Sequence, residues 1–283
     1  MATHTLPAPL RLLGRFNPLA IGRNLWSHRD LTWQFIQREV EGRYRGSFLG
    51  IFWSLARPLF LLGVYTYLFG VIFKSRWPEQ RSDALGEFAL ILFAGLITFE
   101  LFSECVVRAP TTIVSIPNYV KKVVFPLEIM PLVNLGAALF HFAVGLAVLL
   151  VGWLLTGGGL QWTVVFLPLV LLPLVLLTLG VSWVLASLGV YLRDVGQLIG
   201  LLVQALFFFT PIFYTIDSVP EPMRSLMGFN PLAPVITHMR DILLFGRLPD
   251  FGALALSTLV GALVAIGGYV WFAVTRRGFA DVL

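Results

Sequence analysis

The sequence has little charge and almost no cysteine. Asp, Glu, Lys and Arg make up 12% of its 283 residues, whereas 58% are hydrophobic. A soluble domain carries about 25% charged residues, so this chain has too little polar surface to cover a globule in water. The single cysteine, Cys105, excludes a disulfide framework within one chain and a cysteine-based metal site. The composition predicts an integral membrane protein, in which the net charge of +5 sets topology and contacts lipid rather than nucleic acid.

Motifs of nucleotide binding and catalysis are also missing. The chain has no G-x-x-x-x-G-K-[ST] phosphate loop, no H-E-x-x-H pair and no G-x-S-x-G turn. It is therefore predicted to be no enzyme and to bind no cofactor or metal itself. His141 stands alone in an apolar run, where a hydrogen-bonded packing role is favoured over a proton relay.

Long apolar runs predict six membrane crossings, because a helix needs about 20 apolar residues to span the hydrocarbon layer. The fold class is all-α integral membrane, with one transmembrane domain over residues 1–283. Most lysines and arginines flank the spans on the side of the N-terminus, which predicts that both termini are cytoplasmic. The predicted spans cover residues 47–73, 87–107, 128–156, 163–191, 196–216 and 251–275.

An amphipathic helix is predicted ahead of the first span, over residues 25–45. Trp33, Ile36, Val40 and Tyr44 recur at helical spacing, apart from a polar stripe. This pattern favours a helix lying in the inner membrane interface. The alternative is a cytoplasmic helix packed on protein.

The connection over residues 217–250 is too apolar for an exposed loop. Asn230-Pro231 and Pro234 are expected to break it into two short helices, neither long enough to cross the membrane. A re-entrant or interfacial pair on the outer side is the prediction, with other protein covering its backbone.

Four motifs together resemble the permease subunits of ABC-2 type polysaccharide exporters, the group that moves O-antigen, capsular or teichoic-acid chains. They are, in order, YRGSFLGIFWSLARPL, VKKVVFPLEIMPL, YLRDVGQLIGLLVQALFFFTPIFY and NPLAPVITHMRDILLFG. The resemblance runs from about residue 30 to the C-terminus. Arg57 departs from it, because a neutral residue is commoner before this proline in the family.

The resemblance implies an assembly in the inner (cytoplasmic) membrane. Two copies of this chain would form its membrane part, and two separate ATPase subunits would hold ATP and magnesium. The substrate would be a lipid-linked polysaccharide. The segment between the second and third spans would rest on the ATPase, together with the next inner loop. The coupling residues so implied are Pro117, Asn118, Tyr119, Lys121, Lys122 and Arg193, and those of the outer gate are Asn230, Pro231 and Arg240.

The first and fifth spans are implied to line the transport pathway. Aromatic rings suit this task, because they offer amphipathic surfaces to the partly apolar faces of sugars. Ordinary packing remains the alternative for each ring. The pathway candidates are Trp53, Arg57, Tyr65, Phe69, Phe207, Phe208 and Tyr214.

Two other functions stay open beside polysaccharide export. One is an ABC-2 permease for a drug or a small lipid. The other is an ion-coupled secondary transporter, which would need internal repeats and ionisable residues at the midplane of several helices. The two halves of the sequence show no repeat, and the ionisable residues cluster in the first two spans.

Arg57 is predicted to form an ion pair inside the membrane. It lies about 15 Å along the first span, and Glu100 lies about 12 Å from the inner end of the second, at 1.5 Å per residue. An unpaired arginine at such depth costs about 2.5–3.5 kcal/mol. The matching depths predict a pair of Arg57 with Glu100, with Glu104 as second choice, within the chain or across a dimer. The alternative is that Arg57 meets the phosphate of a lipid carrier.

Overall fold

The computed structural model describes residues 18–48, 50–73, 77, 85–121, 125–216, 219–221, 224 and 227–283. These residues form helices and connecting turns, with no strand among them. Four helical segments in this part are long and apolar enough to cross a membrane: Gly86–Thr112, Leu127–Leu155, Trp162–Tyr191 and Phe251–Val282. The protein is therefore an all-α, multi-pass membrane protein.

The helices are numbered in chain order. They are α1 Pro18–Ser27, α2 Arg29–Tyr44, α3 Trp53–Tyr65, α4 Leu85–Thr112, α5 Pro117–Lys121, α6 Met130–Leu155, α7 Leu167–Tyr191, α8 Val195–Phe209, α9 Leu232–Arg240, α10 Phe251–Thr275 and α11 Phe279–Val282. Short 3-10 turns cover Gly50–Phe52, Leu127–Ile129, Trp162–Phe166 and Arg276–Gly278, and π-helical turns extend α3 over Thr66–Ile72 and α9 over Asp241–Phe245.

Helix α4 forms the centre of the bundle. It packs against α6, α7, α8 and α9, and most of its apolar side chains are buried. Glycines on α6 make the α4–α6 contact close: an added Cβ would come within 2.9 Å of Ile97 at Gly145 and within 2.7 Å of Leu90 at Gly152. Small residues let membrane helices approach in this way.

Helices α7 and α10 form the tightest helix pair. A Cβ added at Gly268 would overlap the carbonyl oxygen of Gly180, and one added at Gly180 would overlap the carbonyl of Val264. The backbones of α7 and α10 are therefore in direct contact. Dispersion attraction stabilises this contact, because the hydrophobic effect does not drive helices together inside lipid.

The predicted helix over residues 25–45 is in fact two helices. α1 ends at Ser27 and α2 begins at Arg29, with His28 at φ −104° between them. The Ser27 hydroxyl donates to the carbonyl of Asn24 at 2.7 Å, and His28 Nδ1 lies 2.8 Å from the same oxygen. Such side-chain bonds compete with the helical backbone ladder, which accounts for a break that involves neither glycine nor proline.

Helix α2 combines the two environments that its sequence left open. Val40 is buried, and Ile36 fills the notch that Gly136 leaves on α6. Trp33, by contrast, is 60% exposed, and Trp26 on the preceding α1 is 69% exposed. Exposed tryptophans are typical of a membrane interface, so α2 packs on the bundle with one face and presents Trp33 with another.

The first predicted span begins later than expected. Gly46 (φ 84°) and Gly50 (φ 52°) turn the chain after α2, and α3 starts only at Trp53. Arg57 therefore lies in the second turn of α3 rather than near the middle of a span. A positive φ strains any residue that has a Cβ. The two glycines were therefore the signal in the sequence that the chain turns here and that the helix starts later.

Two other helices end at residues that differ from the predicted span ends. The helix of the second span, α4, continues past Arg108 to Thr112, and Arg108 pairs with Glu39 on α2. The helix of the fifth span, α8, ends at Phe209 instead of residue 216. Thr210 precedes Pro211, and a residue before proline is driven out of the helical region; its ψ is 136°.

In the outer segment, the first half of the predicted helix pair lies partly outside the described residues. Its second half is α9 with its π-helical end. Pro234 does not break this helix, contrary to expectation. It lies in the first turn of α9, where the backbone N–H has no helical acceptor and its loss costs nothing.

Candidate functional site

An ion pair joins α3 and α4 near one edge of the bundle. Arg57 Nη2 donates to Glu100 Oε1 at 2.7 Å. The two side chains are 72% and 48% exposed in the single chain. The structure thus brings together the two residues that were paired by depth, and it leaves them at an open face.

A groove of about 430 Å³ runs from this pair between α3, α4 and α8. Its walls carry the rings of Tyr65, Phe99 and Phe207, and Phe99 and Phe207 stand 5.2 Å apart between centroids. The groove thus combines aromatic faces with a charged pair at one end. Its polar lining is completed by Ser103 and Gln204.

The remaining pathway candidates lie apart from this groove. Phe69 is partly buried and stacks on Phe213 at 5.4 Å. Phe208 is 63% exposed, and Tyr214 donates its hydroxyl to the Phe208 carbonyl at 2.8 Å. Trp53 lines a neighbouring cavity of about 230 Å³ that also reaches Arg57.

That cavity ends at a second group of charges, here called the inner polar cluster. It comprises Glu39, Arg43 and Tyr44 of α2, Glu104 and Arg108 of α4, and His141 of α6. Arg43 donates to Glu104, whereas Arg57 donates to Glu100. Glu104, the second choice predicted for Arg57, is therefore bound to Arg43. Salt bridges therefore tie α2 to the centre of the bundle.

His141 connects two members of the cluster. Its Nδ1 lies 3.0 Å from Glu104 Oε2, and its Nε2 lies 2.8 Å from the Tyr44 hydroxyl. An ionised carboxylate only accepts hydrogen bonds, so the Glu104 contact uses Nδ1 as a donor, and in that tautomer Nε2 accepts from Tyr44. Nδ1 also lies 3.1 Å from Arg43 Nη1. Burial raises the pKa of Tyr44 above its ordinary value of 10.0 and keeps this donor protonated.

The sequence reading missed the inner polar cluster, although two signals for it were present. Glu39 and Arg43 on α2, and Glu104 and Arg108 on α4, each follow at a spacing of four, so each pair shares one helix face. Two such faces of mixed charge can pair across helices. The sequence does not show which helices pack together, so it could not show that these two faces meet.

The predicted coupling segment forms the short helix α5. Its Pro117, Asn118 and Lys121 are exposed, as is Arg193 in the next inner loop. Tyr119 is half-buried and turns inward, with its ring 5.9 Å from Phe35 of α2. Lys122 lies outside the described residues.

Two of the predicted outer-gate residues are buried structural contacts. Arg240 is 4% exposed and donates to the carbonyls of Ile91, Pro211 and Ile212 at 3.0, 2.8 and 2.7 Å. Its guanidinium also lies 4.4 Å from the centroid of Trp77. This residue fastens α9 to α4 and to the turn after α8.

Asn230 binds the C-terminal end of α8 and the N-terminal end of α9. Its amide donates to Phe209 O and Thr210 Oγ1 at 3.2 and 2.9 Å, and its Oδ1 accepts from Leu232 N at 3.0 Å. It thereby satisfies the end of α8 and the start of α9. Pro231 is exposed beside it.

The family follows from this helical architecture together with sequence comparison. The profile of the family described as ABC-2 type transporter matches residues 30–244. The chain belongs to this family.

Several characterised relatives match over nearly their whole length. The O-antigen export system permease protein RfbA of Myxococcus xanthus is 31% identical over 261 residues, 92% of this chain and 97% of the relative. A protein of the same name from Klebsiella pneumoniae is 27% identical over 256 residues, 90% and 95% of the two chains. The polysialic acid transport protein KpsM of Escherichia coli is 25% identical over 240 residues, 82% and 89% of the two chains.

Proposed function

We propose that this chain is the permease subunit of an ATP-driven exporter that moves a lipid-linked cell-surface polysaccharide across the cytoplasmic membrane. The observation that carries the proposal is the groove between α3, α4 and α8. It pairs the rings of Tyr65, Phe99 and Phe207 with the ion pair of Arg57 and Glu100. The names of the relatives, O-antigen and polysialic acid transporters, support a polysaccharide as the substrate.

The lining of the groove suits a polymer that must slide. Ring faces contact sugars through weak, non-directional attraction, and transport requires binding that is favourable but easily reversed. A deep pocket that fixed one sugar by many hydrogen bonds would hold the chain in place. An open groove whose neutral polar groups are those of Ser103, Gln204 and the Tyr65 hydroxyl avoids this.

The groove is open along one side, which supports pairing with a second copy of this chain. The exposed faces of Arg57 and Glu100 would then border a shared pathway between two protomers. In this assembly six segments cross the membrane. The two shorter ones are α8 and α3 with its π-helical extension. Both termini lie in the cytoplasm.

Energy would come from two ATPase subunits that bind ATP and magnesium, while this chain holds no cofactor. The exposed residues of α5 and the loop carrying Arg193 would receive them. Tyr119 would pass the resulting displacement to α2, because its ring lies against Phe35.

The test is removal of the gene in its own organism. Loss of export should deplete the surface polysaccharide and accumulate the lipid-linked polymer on the inner side, and the wild-type gene should reverse both changes. Quantitative glycan staining of intact cells and of lysates measures the two pools. Unchanged surface glycan with raised sensitivity to apolar drugs would instead favour a drug permease.

A further inference from the structure

A buried carboxylate lies outside the proposed groove, beside the C-terminal end of α10. Glu128, in the 3-10 turn ahead of α6, is 7% exposed. Its Oε1 accepts from Asn24 Nδ2 at 3.2 Å, and its Oε2 accepts from Arg276 Nη1. One acid therefore holds α1 on one side and the end of α10 on the other.

Further bonds close this joint. The Asn24 amide also donates to the Tyr269 hydroxyl at 2.9 Å, and Trp183 Nε1 donates to the Glu128 carbonyl at 3.0 Å. The rings of Trp183 and Tyr269 meet edge to face at 5.3 Å. Elements from four parts of the chain, α1, α6, α7 and α10, thus converge on Glu128.

The chain that follows Arg276 reaches the predicted coupling helix. Phe279 of α11 is fully buried, and its ring lies 5.5 Å from Phe272. It belongs to one apolar cluster with Ile113, just before α5, and Leu127, just before Glu128. The C-terminal segment α11 packs directly on α5.

These contacts make one body of segments that are distant in sequence. We propose that Glu128 is a positioning residue for energy transfer: with Asn24 and Arg276 it makes α5, α1 and the C-terminal end of α10 move together. The inference rests on the proposed function, since it concerns how movement imposed on α5 by an ATPase reaches the transmembrane helices.

Charge and burial explain why a carboxylate suits this joint. Glu128 is buried, whereas Arg276 is 43% exposed at its side chain. A buried carboxylate whose two oxygens are both bound holds one geometry, whereas an apolar contact tolerates sliding. If α5 is displaced, Glu128 cannot separate from Arg276 or Asn24 without leaving a charge without its partner. The neighbouring elements therefore follow.

The experiment uses the complex of this chain with its ATPase subunits, which is assayed both in the native host and after purification from it. Glu128→Gln and Arg276→Gln each remove one charge of the pair. Arg277→Gln is the matched control, because Arg277 is the next residue and is exposed like Arg276, whereas Glu128 pairs with Arg276. Three quantities are measured: the amount of assembled complex, its rate of ATP hydrolysis, and surface polysaccharide delivered per ATP hydrolysed.

The expected result is a fall of about fivefold or more in polysaccharide per ATP for both joint variants, the lower end of usual coupling effects. Arg277→Gln should match wild type. Exchanging the charges, in Glu128→Arg with Arg276→Glu, should recover part of the loss.

Two outcomes would overturn the inference. One is an unchanged ratio of polysaccharide to ATP in both variants. The other is a lower amount of complex with a normal ratio, which marks a merely structural contact. A wild-type complex that hydrolyses ATP without exporting polysaccharide would instead refute the proposed function itself, and the inference with it.

Discussion

Reversing the charge of Arg57 is the sharpest perturbation of the groove. In Arg57→Glu, a carboxylate replaces a guanidinium whose Nη2 lies 2.7 Å from Glu100. Two unit charges 4 Å apart interact by about 1 kcal/mol in water and about 4 kcal/mol at an effective dielectric constant of 20. Both side chains are largely exposed in the single chain, at 72% and 48%, so solvent screens the pair and the effect lies between the two figures. We expect Arg57→Glu to destabilise the chain by about 1–3 kcal/mol.

The double variant Arg57→Glu with Glu100→Arg should recover most of that stability. Denaturant or thermal unfolding in lipid nanodiscs gives the coupling energy through a double-mutant cycle, and surface polysaccharide gives the export activity. Arg45→Glu, an exposed arginine after α2, controls for the change of net charge. Independent effects of the two substitutions would refute the pairing. A stable double variant without export would show that Arg57 serves the substrate.

Three further predictions concern other parts of the fold. Arg240→Met should lower stability by about 3 kcal/mol or more, since it leaves three carbonyls without their donor; a wild-type unfolding curve would contradict the clamp. Gly268→Ala should cost about 1–3 kcal/mol through overlap with α7, whereas Gly267→Ala, which meets nothing within 4 Å, should be neutral in the same assay. Tyr119→Asp should abolish export at normal ATPase activity while Tyr119→Phe, which keeps the ring, retains it; equal export by both would place the coupling contact elsewhere.

Much of the helical architecture was predictable because hydropathy is a strong signal over long runs. The uncharged stretch over residues 129–192 fixes two adjacent helices without reference to tertiary structure. The boundaries were harder to predict. Arg108 ends a run in sequence but not a helix, because its partner Glu39 comes from a segment far away in the chain.

The contact of Arg57 with Glu100 was predicted by counting residues from the predicted span ends. The structure has the contact but not those ends, since α3 starts at Trp53 and α4 ends at Thr112. The ion pairs of Arg43 with Glu104 and of Arg276 with Glu128 were not predictable. Each joins two segments that are distant in sequence, and the sequence pattern does not show that these segments pack together. Likewise, the sequence does not distinguish a ring that lines the groove, such as that of Phe207, from a ring that stacks on another ring outside it, such as that of Phe69.

Transport by the reconstituted complex tests the central claim most directly. Permease and ATPase subunits are placed in vesicles whose outer leaflet holds the lipid-linked polysaccharide, and the fraction protected from an added glycan-cleaving enzyme is measured with and without ATP. The account predicts protection that needs ATP and both subunits, and that is lost in Arg57→Glu. Protection that appears without the ATPase subunit, or that is driven by an ion gradient, would contradict it.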